Sequence, residues 1–222
     1  MIGCRLVLAS ALLPALASAQ KLVSFPTQDG GLIYAHLYGA GDRGVVLAHG
    51  GRFNKESWAD QARTLVDAGF RVVAIDFRGY GRSRGPGQSD IFTAPLHLDV
   101  LAAVRYLRES GAATVSVVGG SLGGGAAASA MAAAPGEIDR LALLAASPGE
   151  PEKLEGRKLF LIARDDADGA GPRLPRIQAQ FAKTPEPKEL IVVEGSAHAQ
   201  FLFETDQAER VMREILRFLS AP

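Results

Sequence analysis

Gly119-Gly120-Ser121-Leu122-Gly123 lies between a short apolar run carrying Val115, Val117 and Val118 and an alanine- and glycine-rich stretch over residues 122–134. The run has the length and β-branched composition of a buried strand, and the stretch has the length and composition of a helix. Passing directly from one to the other forces the middle residue into a strained backbone conformation. Such a turn is tolerated only where the residues two before and two after carry no bulky side chain. Gly119 and Gly123 meet that demand. The turn lifts the Ser121 hydroxyl clear of the sheet and aims the first amides of the helix at it, where an acyl oxyanion would be stabilised. The pentapeptide alone is short and the chain holds 25 glycines, so the surrounding sequence has to decide its meaning.

Outward from this turn, apolar runs of strand length alternate with segments of helical length, the pattern of an α/β protein with a parallel sheet covered by helices. Strands are expected at 21–25, 32–38, 44–49, 71–76, 114–119, 140–145, 158–163 and 188–194. Val45-Val46-Leu47-Ala48 is continuously apolar, as a strand buried on both faces should be. The turn-rich Thr27-Gln28-Asp29-Gly30-Gly31 makes the first two strands a hairpin, so the sheet begins antiparallel and then becomes parallel. Helices are expected at 55–68, 96–110, 122–134, 174–181 and 203–219, the last with Val211, Ile215, Phe218 and Leu219 on one core-facing side. Only a short Pro- and Gly-containing segment, 147–157, joins the sixth and seventh strands, which leaves no room for a lid. No repeat, charge block or long low-complexity tract interrupts the pattern.

With 222 residues, 47% hydrophobic and 22% charged, the chain has the balance of a single soluble domain over residues 20–222. Lys+Arg and Asp+Glu are each 24, so no basic excess draws the chain to nucleic acid or to anionic membrane. Residues 1–19 read as a secretory signal peptide: Arg5 is the positive region, 6–16 the apolar core, and Ala17-Ser18-Ala19 a small-residue cleavage site. The apolar core is too short for a permanent membrane anchor, so export to the periplasm or beyond is expected. Cleavage would also remove Cys4, the sole cysteine, leaving no disulfide and no catalytic thiol.

Four motifs, in chain order, resemble those of the α/β-hydrolase superfamily: His49-Gly50-Gly51, the segment from Asp76 to Ser83, Gly119 to Gly123, and Gly195-Ser196-Ala197-His198. The resemblance extends over essentially everything after residue 19, and it implies an α/β-hydrolase fold of about eight strands. It also implies esterase-like chemistry, with dienelactone-hydrolase-like enzymes nearby, although those typically have a cysteine where this chain has Ser121. Dehalogenases and epoxide hydrolases, which need an aspartate there, are disfavoured.

A serine hydroxyl needs an adjacent imidazole base, itself held by a carboxylate, and this fold supplies them in the order Ser, Asp or Glu, His. His198 is the only histidine after Ser121 and is the expected base. His36, His49 and His97 are expected to be structural; by resemblance, His49 organises the loop that follows it. Asp165, Asp166 and Asp168 follow the strand 158–163, where the resemblance implies the acid, and alignment of the strand-end turn favours Asp166, then Asp165, then Asp168. The oxyanion donors are expected to be the amide of Leu122 and, by resemblance, that of Gly51. Arg52, Phe53, Trp58 and Tyr80 are candidate pocket residues. The aspartate run lacks the regular oxygen-ligand spacing of a calcium loop, so no metal is expected, and the chemistry calls for no cofactor. The expected activity is hydrolysis of a small-molecule carboxylic ester through an acyl-enzyme, with an open pocket favouring short acyl groups. Amide, thioester or lactone hydrolysis by the same triad is the alternative within this chemistry, and non-catalytic binding the alternative outside it.

Overall fold

The computed structural model describes residues 20–221, so the expected signal segment, with Cys4, lies outside the described residues. The strands are β1 (Lys21–Pro26), β2 (Leu32–Tyr38), β3 (Arg43–Ala48), β4 (Phe70–Ile75), β5 (Thr114–Gly120), β6 (Arg140–Leu144), β7 (Arg157–Ala163), β8 (Ala167–Asp168), β9 (Gly171–Pro172) and β10 (Lys188–Val193). The helices are α1 (Ala59–Asp67), α2 (Leu96–Glu109), α3 (Leu122–Ala133), α4 (Leu174–Lys183) and α5 (Ala208–Ser220). Eight strands form one sheet in the order β1-β2-β4-β3-β5-β6-β7-β10, antiparallel from β1 through β2 to β4 and parallel from there on.

After the first residue of each, every position of β3, β5 and β7 is buried, while at the edges β1 is largely exposed and β10 mostly half-buried. That difference is the physical source of the apolar runs: a central parallel strand is covered on both faces and has no side for polar residues. Val211, Ile215, Phe218 and Leu219 of α5 are buried, as their helical spacing predicts. The small residues of α3 answer a different constraint. A Cβ on Gly124 would sit 2.4 Å from the Ala146 Cβ, so the helix approaches β6 and its following loop more closely than larger side chains allow.

The departures from expectation fall at element ends. The expected helix 55–68 is a 3₁₀ turn, Lys55–Trp58, followed by α1. Asn54 caps that turn by accepting from the Ser57 amide at 3.2 Å, and buried Asp76 holds it by accepting from the Lys55 amide at 2.8 Å and the Lys55 Nζ at 2.7 Å. The expected helix 203–219 is likewise a 3₁₀ segment, Ala199–Glu204, broken at extended Thr205 before α5 begins. The β8–β9 hairpin was not expected from the sequence. It is only two residues per strand and shows no alternation to detect.

Candidate active site

Ser121 stands at the junction of β5 and α3 with φ 49° and ψ −113°, a conformation that side chains seldom adopt. The glycines around it are required by contact. A Cβ on Gly119 would lie 2.6 Å from the Gly123 carbonyl oxygen, and one on Gly123 would lie 2.3 Å from the Ala48 carbonyl oxygen at the end of β3. The Ser121 amide donates to the Leu144 carbonyl at 2.9 Å, which fixes the turn to β6. Ala145 after β6 and Ala199 after His198 also have positive φ, 49° and 50°, so three strained non-glycine residues converge on one end of the sheet.

The three expected catalytic side chains meet there. His198 Nε2 lies 2.8 Å from Ser121 Oγ, and His198 Nδ1 lies 2.7 Å from Asp166 Oδ2. A carboxylate can only accept, so Nδ1 carries the proton and Nε2 is left to accept from the serine. Asp166 is fully buried. Its backbone also closes the β8–β9 excursion, the Arg173 amide donating to the Asp166 carbonyl at 2.8 Å. Asp165 is exposed, and Asp168 is engaged by Arg173 Nη2 at 3.0 Å and Arg176 Nη2 at 2.8 Å. Neither reaches the imidazole, so the choice among the three aspartates falls on Asp166.

Facing the elbow is the loop after β3. His49 is wholly buried, and burial pushes its pKa down, keeping the ring neutral. Its Nδ1 donates to the Gly50 carbonyl at 2.8 Å while Nε2 accepts from the Phe77 amide at 3.3 Å. Phe77 and Tyr80 pack edge-on against the ring, and the Tyr80 hydroxyl donates to the Gly51 carbonyl at 2.8 Å. Buried Gln200 completes the mount: its Oε1 accepts from the Gly50 amide at 2.7 Å and its Nε2 donates to Ser57 Oγ at 2.9 Å. The position of a Cβ on Gly51 is 3.7 Å from Leu122 Cδ2, so the loop lies directly against the start of α3. Leu122 opens that helix, where a first-turn amide has no carbonyl to bond within the helix. Sequence reasoning missed Gln200. The one available signal was its place two residues after His198.

A model of the alpha/beta hydrolase fold matches residues 44–206, which takes in the elbow, the loop after β3, Asp166 and His198. The chain belongs to the α/β-hydrolase fold family. It is 38% identical over 100 residues to a non-heme chloroperoxidase of Kitasatospora aureofaciens, a match covering 45% of this chain and 34% of that protein. It is 32% identical over 116 residues to a pimeloyl-[acyl-carrier protein] methyl ester esterase of Pectobacterium atrosepticum, covering 52% of this chain and 42% of the relative. The chain spans less than half the length of these curated relatives. Among solved structures, a Pyrococcus furiosus esterase superposes with TM-score 0.76 at 17% identity, over 99% of this chain and 100% of the other. A dienelactone hydrolase from Anabaena variabilis superposes with TM-score 0.75 at 18% identity, over 91% and 97%.

Within this α/β-hydrolase fold, two cavities adjoin the elbow. One, about 220 Å³, is lined by Ser121, Ala146, Ser147, Arg173, Arg176 and Ile177. The other, about 250 Å³, lies beside Leu122 and is walled by Ile91, Phe92 and Ala94 from the loop between β4 and α2. Of the expected pocket residues, Tyr80 supports the Gly51 carbonyl, Phe53 packs on Phe201 with ring centroids 4.8 Å apart, and Arg52 is exposed. Trp58 corrects the expectation: it is 1% exposed and packed edge-on against Phe203, a core residue rather than a pocket wall. A larger groove between α1 and α5, about 450 Å³, contains none of the three catalytic candidates. Among the described residues, no group of three or more His, Cys, Asp or Glu side chains is arranged to hold a metal ion.

Proposed function

We propose that this chain is a serine hydrolase that cleaves carboxylic esters through an acyl-enzyme. The observation that carries the reading is the unbroken chain of hydrogen bonds from Asp166 through His198 to Ser121, at 2.7 and 2.8 Å, on a strained strand-to-helix turn. His198 Nε2 takes the Ser121 proton as Oγ attacks the ester carbonyl, and Asp166 stabilises the resulting imidazolium without itself taking the proton. The developing oxyanion is met by the Leu122 and Gly51 amides, each contributing on the order of 3 kcal/mol. His198 then returns the proton to the leaving alcohol, and water, activated by the same imidazole, releases the acid. The chemistry draws on no cofactor and no metal.

The cavity beside Ser121, about 220 Å³, is below the roughly 300–1,000 Å³ of sites for drug-sized ligands, which supports short substrates. The test is hydrolysis of p-nitrophenyl esters of increasing chain length by wild type and Ser121→Ala. Wild type is expected to prefer short chains, and the variant to lose on the order of 10⁴- to 10⁶-fold in kcat. Full activity in Ser121→Ala would overturn the assignment.

A further inference from the structure

The two cavities at the elbow differ in charge. The one beside Leu122 is walled by Ile91, Phe92 and Ala94 with His97 as its one titratable side chain, whereas the one that includes Ser121 itself carries two guanidinium groups, Arg173 and Arg176, and no carboxylate in its lining. The two arginines are held differently from behind. Arg173 makes ion pairs, Nε 3.3 Å from Asp166 Oδ1 and Nη2 3.0 Å from Asp168 Oδ2, and the buried Nε and Oδ1 have no hydrogen-bond partner. Arg176 Nη2 donates to Asp168 Oδ1 at 2.8 Å and to the Gly171 carbonyl at 3.1 Å, and its Nε to the Pro172 carbonyl at 3.3 Å. The Nη1 group of each makes no hydrogen bond among the described residues. At rest Asp166 and Asp168 offset the two arginines, and when His198 becomes cationic during acylation the cluster gains a positive charge that an anionic substrate group would meet.

We infer that the Ser121 cavity binds an anionic group of the substrate, so the preferred ester carries a carboxylate a short chain away from the scissile carbonyl, held by Arg173 and Arg176. This rests on the ester-hydrolase reading above. Two guanidinium forks, Arg176 fixed by Asp168 and by backbone carbonyls and Arg173 paired with Asp166 and Asp168, are pre-organised to grip a carboxylate with little entropy cost. The Ser147 hydroxyl on the same wall offers a further donor.

Matched esters test this, with release of acid followed at constant pH. Monomethyl glutarate against methyl pentanoate places the charge on the acyl side. Carboxymethyl butanoate against propyl butanoate places it on the alcohol side. In at least one pair wild type is expected to favour the anionic ester about tenfold or more in kcat/KM, a preference weakening as salt is raised. Arg176→Met should bring that ratio near one. Arg176 has a 44% exposed side chain, so its replacement spares the core. A ratio near one in both pairs, with Ser121 still labelled by a fluorophosphonate, would overturn this inference and leave the ester-hydrolase reading intact. Failure of Ser121 to label, with no hydrolysis of any of the four esters, would remove that reading and this inference with it.

Discussion

Residue by residue, the site depends on contacts that tolerate little change. A Cβ on Gly123 would sit 2.3 Å from the Ala48 carbonyl oxygen and 2.6 Å from that of His49, both backbone atoms that cannot turn aside. Gly123→Ala is therefore expected to cost about 3 kcal/mol, the upper part of the usual range for overpacking, and to abolish ester turnover; urea unfolding and a rate assay check both. The aspartates separate as sharply. Asp166→Asn should keep the imidazole in place but favour the wrong tautomer, lowering kcat by about 10⁴-fold. Asp165→Asn, at an exposed carboxylate, should leave the rate within about twofold and unfolding within about 0.5 kcal/mol. If Asp165→Asn abolished activity and Asp166→Asn did not, the acid assignment would be wrong. Ser121 and His198 were legible in the sequence because the elbow needs glycines at fixed offsets and only one histidine follows it. Trp58 was misread: an aromatic residue soon after a strand looks the same whether it faces a pocket or the core, and only its packing on Phe203 decides.

Among the elements, the sheet was legible because strands buried on both faces have no polar side, and β3, β5 and β7 came within about a residue of expectation. Helix starts were less so, since Asn54 and Thr205 break the chain through capping and extended geometry rather than through hydrophobic spacing. The links that join one loop to another were not legible at all. Gln200 lies 150 residues from Gly50, and nothing local in either segment announces the bond between them. Through it the loop after His198 and the loop after His49 are held as one unit. Gln200→Leu removes the acceptor and leaves a buried amide unpaired, at a cost of about 1–3 kcal/mol. Ester turnover should fall while Ser121 remains in place, and Gln200→Glu, which keeps an acceptor, should recover part of it. Unchanged kinetics in Gln200→Leu would show that the bond does not position the loop after β3 for turnover.

Across the whole molecule, stability should decline in two steps as pH falls. Burial holds the His49 pKa below 6.5, and His36 is shifted down for the same reason, so the unfolded chain binds protons more readily than the folded one. Stability is therefore full above about pH 6.5 and is lost progressively below it. A second step follows from carboxyls shifted down in the fold, Glu56, Asp168 and Glu194 among them, and most of all Asp29, held down at about 2, from an ordinary 3.8, by hydrogen bonds from buried Arg78. The Asp29 contribution is complete above 3.8 and lost as pH falls through about 2. Denaturant midpoints measured against pH should show both steps, with His49→Gln reducing the first and Asp29→Asn reducing the second; a flat profile in wild type would contradict the linkage. The frame thus mounts a serine, an imidazole and a carboxylate at the end of the sheet, and the central claim is that Ser121 Oγ forms the covalent acyl intermediate. Its most direct test is to treat the protein with a fluorophosphonate and map the adduct by peptide mass spectrometry. A single adduct is expected on Ser121, absent from Ser121→Ala and strongly slowed in His198→Ala; an adduct on another residue, or equal labelling of Ser121→Ala, would overturn the assignment of Ser121 as nucleophile.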